Sequence, residues 1–299
     1  MMTPLAFACM GTNFFVEASN ARKLERWFQN VEEKYSRFKS DSELSWLNDL
    51  EVSSDWIPIS KEFYHILKEV DQFRQMTDSL FNPFLGNQLR ALGYDRSFSN
   101  REIWACEPNV RVVEETPILF HQGRPMIKKL KDSSVDLGGF VKGWSVDEAF
   151  NMASEEDLFI DGGGDMRFSF REPTMIGVMN PFHNETDIVQ LIMREGAMAT
   201  SSVLHRRWQT EHGEHHHILN GRTGRNPLSN VVQVTLLAPT VREAEVYAKV
   251  LCMMDVEEGV IWMKKQKESI GAIIISEDKT IHLTENIHHI CEGVGTAWS

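Results

Sequence analysis

The sequence predicts an α+β fold, with mixed, largely antiparallel sheets and packed helices. Three observations lead there. Apolar residues recur at helical spacing in the first eighty residues. Beyond residue 111 short apolar runs follow one another, separated by glycines and brief polar turns, which favours antiparallel pairing. Helices and strands are therefore partly segregated along the chain rather than strictly alternating.

Taken in order, Leu24, Trp27, Phe28, Val31, Tyr35 and Phe38 give an amphipathic helix over 22–38. Phe63, Ile66, Leu67, Val70, Phe73 and Met76 do the same over 61–76, and Pro58 and Ser60 supply its start signal. The polar stretch 95–110, with Pro108 and Asn109, reads as a loop. Strands are expected at 117–121, 125–129, 133–137, 157–161, 166–170, 175–179, 188–193 and 230–238. A helix should follow the Gly138-Gly139 bend over 143–154, with two more over 241–254 and 256–266. Ala272-Ile273-Ile274-Ile275 is a short apolar run of the buried-strand type.

A chain of 299 residues buries a large core, as a single domain over 1–299 or as two intimate halves. The 42% hydrophobic and 25% charged content is ordinary for a soluble protein. A formal net charge of −12 argues against a nucleic-acid partner, which needs a positive field. No apolar stretch reaches the roughly 18–20 residues of a membrane helix, and the N-terminus lacks a basic region ahead of its short apolar run. The expectation is a cytoplasmic protein with no membrane segment. Cys9, Cys106, Cys252 and Cys291 have no paired spacing, so reduced buried thiols are expected.

Three segments carry the chemistry. Residues 135–147 read Val-Asp-Leu-Gly-Gly-Phe-Val-Lys-Gly-Trp-Ser-Val-Asp. A carboxylate (Asp136), a glycine bend and Lys142 at the opening of a helix suit a phosphate-bearing ligand, because a helix start offers free N–H groups to an anion. A strand–turn–helix junction with a surface lysine is the plainer alternative. Residues 161–165 read Asp-Gly-Gly-Gly-Asp, and 215–227 read His-His-His-Ile-Leu-Asn-Gly-Arg-Thr-Gly-Arg-Asn-Pro. In a strand His215 and His217 would share a face and His216 would point away; Asn220-Gly221 is a turn dipeptide in its own right.

These blocks, in this order, resemble the ApbE family of FAD:protein FMN transferases, whose pattern runs D-L-G-G-x-x-K-G-x-x-x-D, then G-G-G-D/N, then H-H-I-x-D-P-x-T-G-x-P. Met10-Gly11-Thr12 matches the family's M-G-T, Ser36-Arg37-Phe38 with Ser42-Glu43-Leu44 its S-x-F/Y…S-E-L, and Leu80-Phe81-Asn82-Pro83 its L-F-D-P. The resemblance implies an ApbE-like fold and an enzyme that moves FMN from FAD to a Thr or Ser hydroxyl of an acceptor flavoprotein, releasing AMP. It implies FAD contacts at Met10, Phe38, Leu92, Gly93, Tyr94, Asp136, Lys142 and Ile218, and a catalytic base at His217. It further implies a magnesium site at the Gly139 carbonyl, Glu245, Ala248 and Lys249. Core packing for Phe38, Met10 and Leu92 is the competing reading of those residues, and an i,i+4 Glu245–Lys249 pair that of the metal motif.

Several positions depart from the family pattern. Lys249 replaces a threonine, Glu245 an aspartate, Asn82 an aspartate, and Asn220-Gly221 an Asp-Pro. They leave open a non-catalytic FAD-binding protein of the same fold, or an enzyme that hydrolyses FAD.

Overall fold

The computed structural model describes residues 4–95, 116–153, 155–183, 185–210 and 213–296. In chain order its elements are β1 (Leu5–Cys9), β2 (Thr12–Glu17), α1 (Ala21–Tyr35), α2 (Glu43–Asp49), β3 (Ile57–Pro58), α3 (Lys61–Met76), α4 (Gly86–Ala91), β4 (Ile118–Phe120) and β5 (Met126–Lys129). Then come α5 (Val141–Met152), β6 (Leu158–Asp161), β7 (Met166–Met179), β8 (Asp187–Ser202), β9 (Arg207–Thr210), β10 (Gly213–His216) and β11 (Val231–Ala238). The chain closes with α6 (Val241–Leu251), α7 (Val256–Met263), β12 (Gly271–Ser276), β13 (Ile281–Leu283), α8 (Ile287–Ile290) and β14 (Gly293–Thr296). The fold is α+β with antiparallel sheets, as the sequence predicts. Beyond Asp95 the polar stretch 95–110, with Cys106, lies outside the described residues.

The chain divides into two compact units. The first comprises Met1–Asn30, Lys142–His205 and Leu228–Ser299; the second comprises Val31–Val141 and Arg206–Pro227.

The first unit is built on a sheet in the order β1-β2-β6-β7-β8-β11-β12-β13, with β14 pairing against β8. The runs 166–170 and 175–179, read as two strands, are one strand with a register shift between Ser169 and Thr174. β8 extends well past the expected 188–193: its first half pairs with β14 and its second with β11. Phe14, Val16, Leu24, Phe28, Val146, Leu158, Ile160 and Val241 close one core cluster of this unit. β11 and β12 are buried along their whole length, as continuous apolar strands require.

Helices α5 and α6 are locked together by carboxylates. Asp147 on α5 is fully buried. Its Oδ1 accepts from the Val241 N–H at 3.0 Å and from Arg167 Nη1 at 2.6 Å. Its Oδ2 accepts from the Arg242 N–H at 3.1 Å and Arg242 Nε at 2.9 Å. Two orphan N–H groups of α6 and two guanidinium groups are thereby satisfied by one side chain. Only glycine permits this approach at position 143, because a Cβ there would lie 2.7 Å from the Val241 carbonyl oxygen.

In the second unit, α3 runs over the predicted residues and Ser60 caps it, accepting from the Phe63 N–H. A small sheet, β3-β5-β4, and the hairpin β9–β10 complete its strands among the described residues. Residues 133–137 do not form the expected strand. Their polar backbone is satisfied by loops: the Val135 N–H donates to Asn48 Oδ1, the Asp136 N–H to the Pro83 carbonyl, and the Ser134 carbonyl accepts from the Gly86 N–H. Buried Lys129 donates to the carbonyls of Leu47, Asn48 and Leu50, closing the C-terminal end of α2.

Asp147→Ala leaves two partly buried guanidinium groups and two helix N–H groups without their acceptor. Removing one partner of a buried charge pair costs about 3–5 kcal/mol, and urea unfolding should record a loss of that order; a loss below about 1 kcal/mol would mean that the hub does not hold α6.

Candidate functional site

The residues singled out from the sequence fall into two clusters, one in each unit. In the first unit, Met10 and Gly11 form the two-residue turn of the β1–β2 hairpin, with φ of 50° and 71°. A left-handed backbone at a methionine is uncommon, and such strain collects where function requires it. The turn 161–165 closes through the Gly162 N–H to the Asp165 carbonyl and the Gly164 N–H to Asp161 Oδ1. Burial raises the Asp161 carboxyl above the usual carboxylate range, against the opposing pull of the Gly164 N–H and Lys142.

Lys142 Nζ is ion-paired with the buried Asp165 carboxylate and lies 3.5 Å from Glu245 Oε1. Glu245 Oε2 accepts from the Gly143 N–H at 2.8 Å. Glu245 therefore faces the start of α5. Both oxygens are drawn to the ammonium and backbone donor.

This donor set does not fit a divalent cation. Glu245 is engaged by an ammonium and an N–H, and the Ala248 carbonyl accepts from Cys252 within the helix. Lys249 brings a second positive charge in place of an oxygen ligand, where hard cations require oxygen. Among the described residues, no three His, Cys, Asp or Glu side chains gather as metal ligands. Gly139 lies buried in the turn leading into α5.

In the second unit, Asp136 accepts from the Gly138 N–H and from Arg37 Nε at 2.5 Å. The Arg37 guanidinium lies 4.2 Å from the centroid of Phe38 and 4.7 Å from that of Tyr94, within cation–π range. Tyr94 stacks on Trp208 at 5.5 Å, and Trp208 Nε1 donates to the Leu92 carbonyl at 2.7 Å. Gly93, with φ of 91°, ends α4 and turns the chain from Leu92 to Tyr94. Leu92 is buried in the cluster with Leu85, Leu89, Trp208 and Leu219, whereas Phe38 is 39% exposed. Arg37 and Trp208 were not among the residues expected from sequence, although Arg37 lies inside the Ser36-Arg37-Phe38 segment.

His217 follows the last residue of β10 and is half-buried; Ile218 next to it is fully buried. His215 and His216 do not face away from one another as strand alternation would have them. Both meet Asn226: His215 Nδ1 lies 3.1 Å from its Oδ1 and His216 Nδ1 3.2 Å from its Nδ2. The strand ends at His216, so Asn226 can reach around its end. His216 Nδ1 also accepts from the Ile218 N–H at 3.3 Å. Burial, with the Arg207 and His215 charges adding to it, pushes His216 down to about 4.

The family model described as the ApbE family matches residues 10–274. A protein of Vibrio cholerae serotype O1 named FAD:protein FMN transferase is 22% identical over 267 residues, covering 86% of this chain and 79% of its own. One of the same name from Chlamydia pneumoniae is 26% identical over 251 residues, covering 80% and 77%. The crystal structure of the ApbE protein from Thermotoga maritima superposes with a TM-score of 0.85 at 23% identity, over 98% of this chain and 100% of that one. That of the flavin transferase ApbE from Vibrio cholerae superposes with a TM-score of 0.75 at 20% identity, over 96% and 98%. At these identities the superpositions establish the fold.

Two outcomes are expected here. The His216 ring is neutral in the folded protein down to a pH near 4, while in the unfolded chain it protonates near 6.5. Its contribution to stability is fully present above 6.5 and is lost as pH falls towards 4. The thermal midpoint should drop over that window by more in the wild type than in His216→Gln; parallel curves would contradict this. Secondly, Lys249→Thr should raise magnesium affinity above that of the wild type by calorimetry, since it removes one positive charge from the helix of Glu245 and puts an oxygen at that position. Tight magnesium binding by the unchanged chain would contradict it.

Proposed function

The chain belongs to the ApbE family, and from that premise we propose that it is an FAD:protein FMN transferase, moving FMN from FAD to a Thr or Ser hydroxyl of an acceptor flavoprotein. The observation that carries this reading is the match along residues 10–274, supported by relatives that bear that name over most of their own length. Both clusters carry chemistry that such a substrate calls for. The aromatic group of Phe38, Tyr94 and Trp208, steadied by Arg37 and Asp136, suits a planar ring. Leu92 and Gly93 set the position of Tyr94, and Ile218 that of His217. Met10 offers an apolar contact at its strained turn, and Lys142, with the N–H groups that open α5, offers positive charge to phosphate.

The reaction is a displacement at phosphorus. The acceptor hydroxyl oxygen attacks the FMN phosphorus of the FAD pyrophosphate. A new phosphorus–oxygen bond forms while the bond from that phosphorus to the bridging oxygen breaks, and AMP departs with the bridging oxygen. His217 takes the hydroxyl proton, as an imidazole within hydrogen-bond reach can. The positive charge that stabilises the five-coordinate arrangement comes, in this chain's own residues, from Lys142. Asp165 and Glu245 hold the ammonium in place. The magnesium ion expected from the family resemblance is not part of the proposal, because Glu245, Ala248 and Lys249 do not make a fitting donor set for it. A cytoplasmic location is part of the proposal. Among the described residues no helix is long and apolar enough to cross a membrane.

The test is to mix the protein with FAD and purified flavoproteins, following AMP by chromatography and the acceptors by mass spectrometry. Transfer gives AMP together with an acceptor heavier by one FMN. AMP with free FMN, irrespective of acceptor, would replace transfer by hydrolysis. Bound FAD with no AMP under any condition would replace it by a non-catalytic flavin-binding role. Lys142→Ala should weaken FAD binding by about tenfold, the worth of one charge-assisted hydrogen bond; unchanged affinity, by flavin fluorescence, would remove Lys142 from the phosphate contact.

A further inference from the structure

The loop after the three histidines is held by side-chain amides. Asn226 Nδ2 donates to the His216 carbonyl at 2.7 Å and to the Ile218 carbonyl at 2.9 Å. These carbonyls belong to the residues immediately before and after His217. The same carboxamide meets the rings of His215 and His216, and its Oδ1 accepts from the His216 N–H at 3.4 Å. One side chain thus grips the backbone on both sides of His217.

The far end of the loop is fixed by Asn82, whose Nδ2 donates to the Gly221 carbonyl at 3.0 Å and whose Oδ1 accepts from the Phe84 N–H. The Gly221 N–H donates to the Leu80 carbonyl at 2.9 Å. A Cβ at 221 would lie 2.1 Å from the Ser79 carbonyl oxygen, so neither proline nor any other side chain is compatible with this arrangement. Arg222 adds Nε to the Asp78 carbonyl and Nη2 to the Asp78 carboxylate. An aspartate at 82 could not donate to Gly221, and a residue at 226 without an amide could not donate to two carbonyls at once.

We propose that Asn226 is a positioning residue of the transfer reaction: its carboxamide fixes the peptide units flanking His217, with Asn82 anchoring the other end of the same loop. A base must hold its proton-accepting nitrogen within hydrogen-bond reach of the acceptor hydroxyl, and an imidazole on a free loop loses that geometry. The network also assigns tautomers. His216 Nδ1 accepts from the Ile218 N–H and lies against the Asn226 amide nitrogen, so the neutral ring carries its proton on Nε2. His215 Nδ1 faces Asn226 Oδ1, an acceptor, so it is the protonated nitrogen of that ring.

This inference rests on the reading of His217 as base, and the experiment separates the two. Wild type, Asn226→Ala, Asn226→Asp and His217→Ala are compared for kcat and for KM towards FAD, with AMP release as the rate. Nitrogen-15 spectra report the ring nitrogens of His215 and His216. In both Asn226 variants kcat should fall by about tenfold or more, because small misplacements of a catalytic group are costly, with KM for FAD within about twofold. In the wild type at neutral pH, His216 should carry its proton on Nε2 and His215 on Nδ1, and the Asn226→Asp spectrum should depart from that pattern. Asn226→Ala guards against misfolding of the aspartate variant, and circular dichroism checks both. Wild-type kcat in both Asn226 variants, alongside loss of activity in His217→Ala, would overturn the positioning role alone. A wild-type His216 protonated on Nδ1 would overturn the clamp itself, whatever the rates. Full activity in His217→Ala would instead overturn the base, and the role of Asn226 in catalysis with it.

Discussion

The buried carboxylates between α5 and α6 are the constraint on which the first unit's candidate residues depend. Asp147 holds the first N–H groups of α6 and two guanidinium groups, and Glu245 reaches from α6 to the Gly143 N–H and the Lys142 ammonium. Four acceptor sites are thereby filled at a place where an unsatisfied charge would be costly. Because Gly143 has no side chain, the two helices approach until these bonds form. Lys142 is one residue before that contact, so its position is inherited from it. The glycine-lysine-glycine spacing that reads as a ligand cradle is, at the same time, a device for docking one helix on another.

The periodic and punctuated elements were legible in the sequence. α3 runs over the predicted residues because its apolar stripe and the Ser60 cap agree. The continuous strands β11 and β12 were visible as unbroken apolar runs, and the ordered motifs carried the family. What failed was what tertiary contacts decide. Residues 133–137 have strand-like composition, yet Asn48 and the Pro83 carbonyl supply their partners before any strand does. Helical spacing points Glu245 to Lys249, but it cannot show that an ammonium and an N–H from another helix meet the same carboxylate. Arg37 and Trp208 were missed because ring stacking and cation–π contact join residues far apart in the chain. No periodicity encodes that.

The departures from the family pattern read differently once hydrogen bonds are assigned. As isolated substitutions, Asn82 and Asn220-Gly221 remove charge or stiffness. As a set, Asn82, Gly221 and Asn226 replace them by directed amide bonds. The Gly221 N–H donates to the Leu80 carbonyl, the Asn82 amide donates to the Gly221 carbonyl, and Asn226 grips the histidine segment. Lys249 is different in kind: it adds a positive charge to the helix of Glu245, and an ammonium has no lone pair to offer a cation.

The central claim is that the phosphorus of the FMN half is attacked by a protein hydroxyl. It is tested most directly with two samples of FAD, one labelled with radioactive phosphorus in its FMN phosphate and the other in its AMP phosphate. Each is incubated with this protein and a purified acceptor flavoprotein, which is then denatured and washed. The account predicts that label from the FMN phosphate stays covalently on the acceptor while label from the AMP phosphate leaves as AMP. Label on the acceptor from the AMP half, or covalent label from neither sample while FAD is consumed, would contradict it.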